Sequence, residues 1–170
     1  MNNMEFIMKK IIFILPILLV LNAAHGAPLM SQLEMEKIVK QTASSSKGEK
    51  GVVKFIYNNV QMTLISDVKH DRMRIISAIK KFKALSTQQI EEILKSNFHK
   101  SLDARYAVSN NILYSAYIHP LSSLRKKQIT SAMLQVSNLA KSFGHEYSSG
   151  MLRFGGDKKK ENKKMKKGAI

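Results

Sequence analysis

The chain has 170 residues, 44% of them hydrophobic, and a formal net charge of +16 with a sequence pI near 10.1. That length holds one ordinary domain plus terminal segments, and the charge favours acidic partners: nucleic acid, anionic lipid or acidic protein. Cysteine is absent, which excludes disulfides and thiolate metal sites and leaves the fold to its apolar core.

At the N-terminus, Lys9 and Lys10 precede an uncharged apolar run from Ile11 to Leu21, and the small-residue stretch Asn22-Ala23-Ala24-His25-Gly26-Ala27 follows. This is the layout of a secretory signal peptide. Cleavage after Gly26 puts Ala24 and Gly26 at the small-residue positions; a cut after Ala27 would leave Pro28 next to it. The run is about half of the ~20 residues a membrane span requires, with an uncleaved anchor as the alternative. Met1, Met4 and Met8 are all candidate starts. The expected organisation is a signal peptide over 1–26, an α+β domain over 27–144, a Gly/Ser-rich segment over 145–156 and a Lys-rich disordered tail over 157–170. Such a product is periplasmic or secreted.

Ser31 and Glu34 fit a capping box, and Leu33, Ile38 and Val39, with Met35 and Thr42 at the margins, give a helical stripe to about Ala43. Ser44 to Gly51 is polar, rich in Gly and Ser, and reads as a loop. Three strands follow. Val53, Phe55 and Tyr57 alternate with Val52, Lys54 and Ile56; Asn58-Asn59 forms a tight turn; Val60, Met62 and Leu64 alternate with Gln61, Thr63 and Ile65. After a polar turn at 67–71 comes a third strand, Arg72 to Ile76, with its arginines on one face.

Ser86 and Gln89 predict a second capping box, opening a helix with Ile90, Ile93, Leu94 and Phe98 on its buried stripe. A second Asn-Asn hairpin joins Ala104–Ser109 to Ile112–Ile118, and His119-Pro120 ends it, since proline cannot donate to a ladder. A last helix starts near Ser123, with Ile129, Met133, Val136, Ala140 and Phe143 inward and Gly144 as its C-cap. Beyond it, Tyr147, Met151, Leu152 and Phe154 are candidates to dock an extended segment. Asp157 to Lys167 carries seven lysines against two acids, too polar to fold alone.

The stretches Leu94-Lys95-Ser96-Asn97-Phe98, Asp103 to Val108 and Ile112-Leu113-Tyr114 carry a family pattern, continued by His119-Pro120-Leu121 and preceded by Arg72-Met73-Arg74-Ile75. With the α-β-β-β-α-β-β-α order, they resemble the YbjN-like and type III secretion chaperone (CesT-type) superfamily over roughly 30–144. The resemblance implies a bent antiparallel sheet packed by helices, often as a homodimer, that binds protein segments and transforms no substrate. The chain differs from the secretion chaperones, which are acidic and cytoplasmic, in being basic and carrying an export signal.

No spacing of His25, His70, His99, His119 and His145 places two ligands on one helix face. No nucleophile elbow, paired catalytic carboxylates or phosphate loop is present. The expectation is therefore a non-enzymatic chain with no cofactor, no metal site and no catalytic residue. Val52, Ile56, Ile65, Leu113 and Tyr117 alternate with the first apolar set and are the candidates for a partner-binding second sheet face, with core packing on both faces as the alternative. The candidate anion-binding residues are Arg72, Arg74, Lys80, Lys81 and Lys83, then Arg125, Lys126 and Lys127, and in the tail Lys158, Lys159, Lys160, Lys163 and Lys164. The same charges suit plain solvation. The expected partner is a protein segment or a second copy of the chain. The alternative is an electrostatic binder of anionic lipid or another polyanion. The tail lacks interleaved aromatics, which argues against specific nucleic-acid binding.

Overall fold

The computed structural model describes residues 29–150; the expected export signal, Met151, Leu152, Phe154 and the lysine tail lie outside the described residues. The elements are α1 (Gln32–Thr42), β1 (Ser45–Glu49), β2 (Val52–Tyr57), β3 (Val60–Asp67), β4 (Arg72–Lys81), a 3-10 turn (Phe82–Ala84), α2 (Thr87–His99), β5 (Arg105–Ser109), β6 (Ile112–His119) and α3 (Lys126–Ser142). The strands form one antiparallel sheet in the order β1-β2-β3-β4-β6-β5. This is the α+β domain the pattern predicts, with one strand added.

The added strand is β1, which falls where the sequence reads as a loop. All five of its residues are exposed. An edge strand that buries neither face needs no apolar alternation, so only its backbone pairing to β2 defines it. Gly51, at φ +94°, closes the turn between the two strands. The predicted Asn-Asn turns are both present: Asn58 and Asn59 have φ 53° and 60°, and Asn110 and Asn111 have φ 47° and 61°. Paired left-handed residues match the twist of the flanking strands.

Helices α1 and α3 cover one face of the sheet. Val53, Phe55, Met62, Leu64, Met73, Ile75 and Leu113 meet Met35, Ile38 and Val39 of α1 and Ile129, Met133, Val136 and Leu139 of α3 in one core. Each large apolar side chain buried there contributes roughly 1.5–3 kcal/mol. On α1 the predicted stripe is rotated: Leu33 is exposed, whereas Glu36 is buried and accepts the Gly51 backbone N–H at 2.8 Å. Only the hydroxyl half of its capping box forms, Ser31 accepting from the Glu34 N–H at 3.1 Å.

The second capping box is complete, with Ser86 and Gln89 exchanging bonds of 3.1 Å. The buried stripe of α2 is narrower than expected. Ile93 and Ser96 are buried, but Leu94 and Phe98 are exposed. The reason is position: α2 lies along the outer edge of β5 rather than over a face. There the Asn97 carboxamide donates to the Tyr106 carbonyl at 3.0 Å and accepts the Tyr106 N–H at 2.8 Å. It thus occupies the edge as a further strand would. After α3, Gly144 takes φ +87°, and Tyr147 packs edge-to-face on Tyr106 and Phe143. Ser149 accepts the Leu102 N–H at 2.8 Å, which fastens the segment down.

Two predictions follow from these ties. Asn97→Ala leaves two backbone groups of β5 without partners and is expected to cost about 1–3 kcal/mol, read by chemical denaturation; an unchanged midpoint would show the edge is held by other contacts. Asp71 accepts the Ser122 N–H at 2.7 Å and the Ser122 hydroxyl at 2.8 Å, and these bonds hold its carboxyl below the ordinary 3.8. A depressed folded pKa contributes stability that is present above the unfolded value and lost as pH falls through the folded one. Melting temperature is therefore expected to fall as pH drops below about 4, and to fall less in Asp71→Asn.

Candidate functional site

Because both α1 and α3 pack on one face, the other face of the sheet is uncovered among the described residues. Register defines what it presents. Val52 pairs with Ile65, Ile65 with Arg74, and Arg74 with Ile118, which makes a row across four neighbouring strands. The next row runs Lys54, Thr63, Ile76, Ala116, Arg105. Val52 is 46% exposed and Ile118 59%, while Ile56, Ile65 and Ile76 are partly exposed. The surface is an apolar band crossed by cations, a composition that suits an extended chain carrying apolar and acidic side chains.

Of the five residues expected on this face, Val52, Ile56 and Ile65 are there. Leu113 and Tyr117 are not; they are 0% and 3% exposed and belong to the core. The pairing of Tyr117 with Ile75, and of Ser115 with Ser77, turns that set of β6 side chains toward α3. Alternation could not decide this, because β6 is apolar at both parities. Ile118, Ala116 and Tyr114 are the members of the open face that sequence reasoning missed.

The basic candidates do not form one cluster. Arg72 and Arg74 open β4, whereas Lys80 and Lys81 close it and Lys83 follows in the 3-10 turn. The two groups are separated by most of a strand, about 20–30 Å at the usual rise. Arg125 is the N-cap of α3, and Lys126 and Lys127 fill its first turn, with no acidic side chain there to complement the dipole. Among the described residues, the ion pairs are Lys95 with Glu91 and Glu92 and His70 with Asp67, so none of the candidate cations is paired. Lys158, Lys159, Lys160, Lys163 and Lys164 lie outside the described residues.

A cleft of about 470 Å³ opens beside this face, where β5 begins, β6 ends and α3 starts, and takes Ile118 of the open face into its lining. Asp103, Arg105, Tyr117, His119, Lys127 and Ser131 are among the residues lining it. Tyr117 and Lys127 were singled out from sequence for other roles; Arg105 and His119 were not, and no local motif connects them. Only the strand pairing brings them together. No cluster of three metal-ligating side chains occurs among the described residues.

The two faces of the sheet predict different responses to truncation. Leu113→Ala is expected to cost about 2–5 kcal/mol, and Ile118→Ala no more than about 0.5 kcal/mol, both measured by urea denaturation. Equal losses would mean that the second face is packed as well.

No family model and no curated protein matches the chain. Among solved structures the fold is similar to a chain of the HopA1–SchA chaperone–effector complex, at TM-score 0.50 and 12% identity, covering 64% of this chain and 88% of that one. It is also similar to a chain of the ExsC–ExsE complex, at TM-score 0.50 and 9% identity, covering 66% and 92%. A third similarity is to the Yersinia pestis type III secretion chaperone SycH in complex with a fragment of YscM2, at TM-score 0.49 and 12% identity, covering 66% and 98%. At these identities the likeness is one of fold: the chain shares an α+β architecture with the first two structures.

Proposed function

We propose that this chain is an exported, non-enzymatic module that binds a segment of another protein on the open face of its sheet. The observation that carries the reading is the row Val52–Ile65–Arg74–Ile118, three apolar side chains and one cation, contiguous and uncovered among the described residues. An apolar band crossed by cations gives a partner chain both burial and charge complementarity. The similar folds support it, since one was solved in a chaperone–effector complex and the other in an ExsC–ExsE complex. The chaperone role named in the first also supports the non-enzymatic reading. Leu94 and Phe98, one turn apart on α2 and 65% and 75% exposed, support self-association of the module as a homodimer.

Export rests on Lys9, Lys10, the Ile11–Leu21 run and the small residues before Ala27. The protein recovered from producing cells is expected to have the intact mass of a chain beginning at Ala27. A mass that retains residues 1–26 contradicts export by cleavage.

Binding is tested by capture from the cell envelope. Three baits are compared: residues 27–170, the same chain ending at Gly156, and a Val52→Asp, Ile65→Asp double variant with an unchanged melting temperature. A discrete partner held by the first two and lost by the third is expected. Capture that survives the double substitution would overturn the open-face reading. Capture that vanishes with the tail, or at moderate salt, would make the chain an electrostatic binder of anionic surfaces instead.

A further inference from the structure

The cleft at the start of α3 has an origin in the hydrogen bonding of β5. Gln135 of α3 accepts the backbone N–H groups of both Asp103 and Ala104, at 2.9 and 3.0 Å. That bond pair draws the chain away from β6 just before the β5–β6 ladder starts at Arg105 and Ala116. Tyr106 directs its own N–H and C=O outward to Asn97, so the ladder bonds fall on the Arg105–Ala116 pair. Two residues further along β6, by the same alternation, Ile118 directs its N–H and C=O into the space that β5 has left. A backbone donor and acceptor thus border the cleft.

The side chains around it form a graded set. Tyr117 is 3% exposed and lines the cleft. Burial first, then the negative charge of Asp103, push this phenol upward, so it remains a protonated donor at ordinary pH. The Arg105 guanidinium is fixed by donating from one nitrogen to the Leu102 and Ala104 carbonyls; among the described residues its other N–H groups have no partner and can bind a ligand. Lys127 adds a cation from the first turn of α3. The His119 ring stacks on Tyr117 with centroids 5.9 Å apart, and its Nδ1 lies 2.8 Å from the Pro120 carbonyl. A ring held by Nδ1–H donation turns its Nε2 lone pair elsewhere.

We infer that this cleft binds an α-carboxylate with an adjacent N–H group: a free amino acid or the C-terminal residue of a peptide. Arg105 and Lys127 against Asp103 leave one net positive charge, which matches a monoanion better than a dianionic phosphate. Arg105, Lys127 and the Tyr117 hydroxyl take the carboxylate. The Ile118 carbonyl and the Asp103 carboxylate accept from the neighbouring N–H, and the Tyr117 ring and Ile118 side chain supply an apolar wall. The volume is within the range of about 300–1,000 Å³ typical of small-molecule pockets. The cleft adjoins the open sheet face and shares Arg105 and Ile118 with it, whereas Tyr117 and Lys127 belong to the cleft and not to the rows of that face.

The test is calorimetric titration of the purified protein with N-acetyl-leucine, N-acetyl-leucine amide, free leucine and inorganic phosphate. One of the two carboxylates is expected to bind at least about tenfold tighter than the amide, as loss of a charge-assisted hydrogen bond implies. Tyr117→Phe and Lys127→Ala, each with an unchanged circular dichroism melt, are expected to weaken that binding by about five- to tenfold. Tighter binding of N-acetyl-leucine assigns a peptide end, and tighter binding of free leucine assigns an amino acid; either supports the inference. Binding of neither carboxylate, equal binding of acid and amide, phosphate as the best ligand, or indifference to both substitutions would overturn it.

Discussion

Helix α3 is the constraint on which the rest of the structure depends. Its apolar stripe, Ile129, Met133, Val136 and Leu139, is fully buried against the sheet. Its polar groups fix the strands in place as well. The Val136 carbonyl accepts from the Ser115 hydroxyl at 3.0 Å, and the Leu139 carbonyl accepts from the Tyr106 hydroxyl at 2.8 Å. Gln135 holds the approach to β5 by two backbone N–H groups. A buried donor or acceptor left without its partner costs about 1–3 kcal/mol, so this set of bonds determines where β5 and β6 can lie under the helix. The burial that stabilises the domain also sets the point where β5 leaves β6, and hence the cleft.

A second consequence concerns the surface available to a partner. The described helices supply one layer, so among the described residues one face of the sheet is left open. Sheets can also recruit a partner at an edge. Here the β5 edge is occupied at Tyr106 by Asn97 and flanked by α2. The β1 edge is short, polar and exposed throughout. The face, rather than the edge, is where apolar area and charge coincide. The same arrangement leaves Leu94 and Phe98 on the outer side of α2, where a second copy could cover them.

Much of this architecture is legible in the sequence. The Asn-Asn pairs specify left-handed turns, and Ser86 with Gln89 specifies the start of α2, because each acts through local chemistry. What the sequence does not show is governed by non-local pairing. β1 lacks an apolar period because it buries nothing. The faces of β6 are indistinguishable by hydropathy, so Leu113 and Tyr117 are assigned to the core only by their register with β4. Leu33, Leu94 and Phe98 look like core residues by spacing, but the directions from which α1 and α2 approach the sheet leave them outside. The cleft is the extreme case: Arg105, His119 and Lys127 come from three elements, and no sequence pattern joins them.

The central claim, that the open sheet face is the binding surface, is tested most directly by site-specific photo-cross-linking in the producing cell. A photoreactive residue is placed at Ile65, in the middle of the open face, and separately at Leu33, exposed on α1. The account predicts a discrete protein adduct from position 65 and none of that size from position 33. The same adduct from both positions, or from position 33 alone, would contradict it.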